Sequence, residues 1–130
     1  PGCRGRRMIT GTVNARHEIV IPVPVRDAMG QDQMVAAVLD TGFTGSLTVP
    51  PRVVASLGLT WRSQAQAVLA NGTVEQFDIY SAIVVWDGVP RTILVQAIDT
   101  IPLLGMALLV GFDLRVRVRV GGRAEIQVIP

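Results

Sequence analysis

Lysine is missing from this chain of 130 residues, and all 12 of its basic side chains are arginine. So complete a bias reflects the composition of the source genome before any functional signal. Cysteine is nearly missing too. Cys3 stands alone, which excludes an internal disulfide framework and a cysteine-rich metal site, and a lone thiol fits a reducing compartment. The one histidine, His17, gives little support to a Ser-His or Cys-His nucleophile or to a transition-metal site. Aromatic residues make up only 5%, and the interleaved aromatics of a base-stacking surface are lacking. A net charge of +2 lends weak support to nucleic-acid binding. No apolar run approaches the roughly 20 residues that span a bilayer. The basic segment before Met8 lacks the apolar core of a secretory signal. These absences lead us to expect a cytoplasmic protein with no metal, no organic cofactor, no membrane association and no nucleic-acid partner.

What is present is 49% hydrophobic and 17% charged, the composition of a well-packed globular chain. The length suits one domain, which we place at residues 8–130. Residues 1–7 are basic and without pattern, and are expected to be a short disordered arm or a processing remnant.

Short apolar runs broken by Gly, Pro and Asp predict strands. Met8 to Val13 and Glu18 to Val25 read as the first two, with Pro22 and Pro24 marking an edge or a bulge. Asp27 to Gln31 is a turn into a buried strand, Val35 to Leu39. Pro50-Pro51 followed by Arg52 to Leu57 and Gly58 predicts a short helix, with proline at its start and glycine at its cap. Gln64 to Leu69 and Val74 to Trp86 are strands joined at Ala70-Asn71-Gly72-Thr73, where Asn-Gly suits a type I′ hairpin turn. Asp87-Gly88 turns the chain again into Arg91 to Ile98. Leu103 to Leu109 is apolar with a helix-friendly second half. Leu114 to Val120 alternates Val with Arg, placing three arginines on one strand face, and Gly121-Gly122 turns into a last strand, Ala124 to Ile129. The pattern is a mostly β domain with one or two short helices, a small barrel or sandwich.

Asp40-Thr41-Gly42 follows the apolar run directly and is itself followed by Phe43-Thr44-Gly45-Ser46-Leu47-Thr48-Val49. The run thus delivers a carboxylate, a hydroxyl and a glycine turn to the end of a core element. Burying an ionised carboxylate is costly unless something requires it there. Taken alone, Asp40 reads as a turn aspartate; its context makes it a catalytic candidate.

Val38-Leu39-Asp40-Thr41-Gly42-Phe43-Thr44-Gly45 and the later Leu103-Leu104-Gly105-Met106-Ala107-Leu108-Leu109 together resemble the retropepsin-like aspartic proteases, especially small bacterial relatives of the retroviral enzymes. The Asn71-Gly72 hairpin falls between the two motifs, where that family carries its flap. The resemblance spans nearly everything from Met8 onward. It implies a small closed β-barrel of retropepsin type, an aspartic endopeptidase activity and an extended peptide or protein segment as substrate. Such an enzyme needs two carboxylates around one water, and the chain holds no second Asp-Thr-Gly or Asp-Ser-Gly. The resemblance therefore implies a homodimer contributing Asp40 twice. By the same likeness Asp40, Thr41 and Gly42 would form the catalytic motif. Ala70, Asn71, Gly72 and Thr73 would cover the substrate, Leu103 and Leu104 would wall its pockets, and Gly105 would pack beneath the catalytic loop. Two positions depart from the retroviral pattern: Thr44 and Ala107 stand where those enzymes carry acidic or polar residues. The ion-pair bracing of the viral dimer is thus absent or replaced.

Two rival readings accompany this one. The same dimeric fold could hold peptides or partner proteins with weak or no hydrolysis, although a pure binder has no need of a paired acid. A β-barrel using the Arg115-Arg117-Arg119 face could bind nucleic acid, a reading that predicts steep salt dependence. For His17 a surface or hydrogen-bonded role is expected, and Trp61 and Trp86 read as core or rim residues.

Overall fold

The computed structural model describes residues 8–130, so the expectation for residues 1–7 lies outside the described residues. In chain order the elements are β1 (Ile9–Val13), β2 (Ile19–Arg26), β3 (Asp32–Leu39), β4 (Leu47–Val49), α1 (Pro51–Leu57), β5 (Thr60–Val68), β6 (Val74–Trp86), β7 (Val89–Ala97), β8 (Leu103–Leu104), α2 (Met106–Leu109), β9 (Phe112–Val116) and β10 (Arg123–Val128). The protein is mostly β, as the sequence predicts.

Three hairpins share one turn geometry. The N–H of the first turn residue reaches the carbonyl four positions on: Asn14 to Glu18 (2.9 Å), Asp27 to Gln31 (2.8 Å) and Leu69 to Thr73 (2.8 Å). Within each, a second bond runs back from His17, Gly30 or Gly72, and these three residues have φ of 61°, 83° and 84°. This is a type I turn followed by one left-handed residue. An Asn or Asp side chain reinforces each: Asn14 Oδ1 accepts from Arg16 and Glu18, Asp27 Oδ1 from Met29 and Gln31, and Asn71 Oδ1 from Thr73. The type I′ turn expected at Asn71-Gly72 is therefore not formed, because only Gly72 of that pair has positive φ. It occurs at Asp87-Gly88 instead, with φ of 55° and 72° between the paired residues Trp86 and Val89.

All strands join one ten-stranded sheet in the order β5-β6-β7-β4-β8-β3-β2-β1-β10-β9. The sheet curls until Val25 of β2 meets Val84 of β6, so part of it returns on itself while β5 and β9 remain its ends. The expected closed barrel is therefore not what the strand order describes, which is a curled sheet with two open ends. Pro22 and Pro24 sit in an interior strand and not at an edge. Beside β1 the ladder of β2 covers only Ile19 and Val20, and β6 joins at Val25. The prolines occupy the gap between those two ladders, where a missing N–H breaks no bond.

The core is one cluster that includes Ile21, Val23 and Val25 from β2, Leu47 and Val49 from β4, and Leu108 from α2. Each such side chain contributes about 1.5–3 kcal/mol when fully buried. α1 docks through Val54 and Leu57, begins at Pro51 and is capped by Gly58, as predicted. Trp86 is buried with its ring edge against Phe112 (centroids 6.1 Å apart), whereas Trp61 lies on the rim and donates to Asp78 (3.1 Å).

Two strand expectations need correction. The apolar run Val35 to Leu39 is not buried on both faces: Val35, Ala37 and Leu39 point into the core while Ala36 is exposed. The Arg-Val alternation does not continue as one strand either. β9 ends at Val116, and the chain then bends through Arg117 and Arg119, whose carbonyls lie where a Cβ on Gly122 would stand. Only Arg115 of the three arginines lies in a strand, opposite Glu125, so the proposed basic face is broken up.

Candidate active site

β3 and β8 run parallel, with Val38 opposite Leu103 and Leu39 opposite Leu104. Leu39 is held in the core, and the next residue, Asp40, is half-buried at the strand's end. Its backbone N–H donates to Leu104 O (2.9 Å) and its carbonyl accepts from Phe43 (3.1 Å), so the chain turns tightly here. Asp40 Oδ1 accepts the Gly42 N–H at 2.9 Å. Among the described residues Oδ2 has no hydrogen-bond partner and no cation pairs with this carboxylate. Thr41 and Gly42 follow, both exposed. The motif thus presents a carboxylate, a hydroxyl and bare backbone on a turn whose position is fixed from below.

The fixing is done by the second motif. Gly105 donates to Ser46 O (3.0 Å), Met106 to Phe43 O (2.8 Å) and Ala107 to Gly45 O (3.1 Å). Three successive N–H groups at the start of α2 therefore hold the carbonyls of the Asp40 loop. The approach leaves no room for a side chain at Gly105, where a Cβ would stand 2.7 Å from Phe43 O and closer still to Gly45 O. Thr48, almost fully buried, accepts the Leu103 N–H on its Oγ1 (2.9 Å) and completes the brace. Neither Phe43 nor Thr48 was singled out from sequence; the signal for Thr48 is a lone hydroxyl inside the apolar triplet Leu47-Thr48-Val49.

The structure thus brings Asp40, Thr41 and Gly42 together with Leu103, Leu104 and Gly105. It separates the roles expected of the two leucines. Leu104 is 0% exposed and belongs to the core, so it cannot wall an open pocket, whereas Leu103 is half-buried. Ala70, Asn71, Gly72 and Thr73 are all exposed at the tip of the β5–β6 hairpin, and the tip's hydrogen bonds stay within that hairpin. Beside the Asp40 loop lies a groove of about 430 Å³, where Gly45, Ser46 and Ala107 face Ile79, Leu94 and Gln96. Its mixed apolar and polar lining suits side chains of an extended peptide. Another hollow, lined by Arg26, Gly58, Thr60 and Ser81, shares no residue with the Asp40 loop. Among the described residues no three His, Cys, Asp or Glu side chains gather as metal ligands, and no helix is long and apolar enough to cross a membrane.

No family model matches the chain, and no curated protein matches it. Among solved structures it is similar to a retropepsin-like aspartic protease from Rickettsia conorii, with a TM-score of 0.58 and 17% sequence identity. The similarity covers 95% of this chain and 93% of the other. At that identity the likeness is one of fold.

Proposed function

We propose that this chain is an aspartic-type endopeptidase, that its active form is a homodimer, and that Asp40 of each copy supplies half of the catalytic pair. One observation carries the reading. A half-buried carboxylate with one oxygen unbonded is held at a strand end by the same Leu-Leu-Gly segment that the sequence pairs with it. The fold-level similarity to a retropepsin-like aspartic protease supports it.

The chemistry follows from two carboxyls sharing one proton, since neighbouring carboxylates do not both ionise easily. The ionised Asp40 takes a proton from water as its oxygen attacks the scissile carbonyl carbon. The protonated Asp40 of the other copy gives its proton to the carbonyl oxygen. Collapse of the resulting gem-diol breaks the C–N bond, with a proton passing to the leaving nitrogen. Thr41 would brace the two turns across the axis, and exposed Gly42 lets the substrate backbone come close. The Ala70–Thr73 hairpin would close over the peptide and exclude water, with Leu103 and the groove at Gly45 and Ser46 receiving side chains.

The test is cleavage of a diverse peptide library, from acid to neutral pH, by the native chain and by Asp40→Asn. Asp40→Asn removes both carboxylates of the pair and should lower specific cleavage by about 10²–10⁴-fold or more while the oligomeric state is kept. Equal inertness of two folded, dimeric chains would overturn the proposal and leave a peptide-binding dimer as the better description.

A further inference from the structure

The outer face of β6 and β7 joins two hollows of the surface. Strand alternation buries Ala82, Val84, Ile93 and Val95 in the core and turns Ser81, Ile83, Thr92 and Leu94 outward. Ser81 lies opposite Leu94 and Ile83 opposite Thr92, so these four form one block of the outer surface. Leu94 stands in the groove beside the Asp40 loop. Ser81 and Ile83 line the other hollow, of about 360 Å³, which reaches Thr60 and Arg26. Thr92 lines both. The groove at Gly45 and Ser46 therefore does not end at Leu94 but continues over Thr92 into the far hollow.

We propose that this strip docks the flank of the substrate, which is a long unfolded polypeptide carrying apolar residues and an acidic one several places from the cut. The inference rests on the peptidase reading above. Leu94 and Ile83 are 56% and 37% exposed, apolar side chains that a docked segment would cover. From Gln96 through Leu94 to Thr92 the outward row of β7 runs about 13 Å at ~3.3 Å per residue, room for roughly four extended residues beyond the groove. Charge adds the acidic preference. Arg26 is held by Asp32 (3.1 Å), and both oxygens of Asp27 accept hydrogen bonds within the β2–β3 hairpin. Arg91 lines the groove half-buried, and among the described residues no carboxylate pairs with it. A guanidinium so placed selects a carboxylate, which it can hold through two parallel hydrogen bonds. Continuity with the groove points to substrate as the occupant. Contacts this far from the reacting bond hold the ground state and the transition state alike, so their loss raises KM and leaves kcat.

Cleavage of randomised peptides about eight and about twenty residues long by the full chain tests the strip. Ile83→Asp and Thr92→Arg should raise KM for the long peptides about tenfold, with kcat unchanged and the short ones cut as by the native chain. Arg91→Glu should exchange a preference for acidic residues for one for basic residues at the same distance from the cut. A purely structural role would not reverse that preference. Native-like melting of each variant shows that folding is intact. Equal effects on short and long peptides, or a charge preference that Arg91→Glu leaves unchanged, overturn the proposal. A second measurement does not depend on cleavage: Thr92→benzoylphenylalanine in an Asp40→Asn chain should photo-cross-link the long peptides and spare the short ones. Cross-links formed only within or between copies of the chain would likewise overturn it. If the native chain cuts no peptide while the long ones still cross-link, the strip stands as a binding site and the peptidase reading falls.

Discussion

At the scale of single residues, Gly105 and Asp27 show how much depends on one position. Gly105 lies against the carbonyls of Phe43 and Gly45, the loop that Asp40 begins. Gly105→Ala forces backbone to move, with an expected cost of about 1–3 kcal/mol. The melting temperature should fall, and peptidase activity should fall further than stability accounts for because the loop carries the carboxylate. Asp27 is a different case. The Gln31 N–H, then the Gln33 side chain, hold its carboxyl below the ordinary carboxylate value, with Met29 and Gly30 adding to the effect. A folded-state pKa lowered in this way adds stability that is fully present above the unfolded value of roughly 3.9 and is lost as pH falls through the folded one. Asp27→Asn should therefore lower stability at neutral pH and flatten the acid limb of a stability-against-pH curve. Chemical denaturation at a series of pH values reads both effects.

At the scale of elements, the recurring hairpin turn is instructive because one of its three copies departs from glycine. His17 takes the left-handed position that Gly30 and Gly72 fill elsewhere, at a conformational cost that glycine does not carry. His17→Gly should raise stability by roughly 0.5–1 kcal/mol with no change in peptide cleavage. The outcome also bears on how the sole histidine is read, as a turn residue and not as a chemical one. Strand and helix positions were legible because their signals are local. Alternation marks β2, a terminal proline and glycine frame α1, and Val74 to Trp86 coincides with β6. The turn type at Asn71-Gly72 was not legible, since the same dipeptide serves two geometries and the loop length decides between them. The end of β9 was missed for a related reason. Val-Arg alternation continues in the sequence past Val116, while the bend that ends the strand depends on Gly122 packing against Arg117. The Asp40 motif could be found from sequence, but the split between half-buried Leu103 and fully buried Leu104 needed the strand pairing to be seen.

At the scale of the whole molecule, a homodimer makes stability depend on concentration. If the chain dimerises as proposed and melts with dissociation, its melting temperature should rise as protein concentration rises, whereas that of a monomer should stay constant. Differential scanning calorimetry over a hundredfold range of concentration distinguishes the two. The brace beneath Asp40 has a further consequence, in time and not in space. Thr48 and Leu103 meet across 55 positions of sequence, and the hairpins close over a handful. Contacts between distant segments form after local ones, because more chain must be ordered to make them. A chain still emerging from synthesis holds its turns and the Asp-Thr-Gly triplet before it holds β8. The carboxylate acquires its setting only when nearly the whole domain is in place, so partly made chains carry the motif without the site.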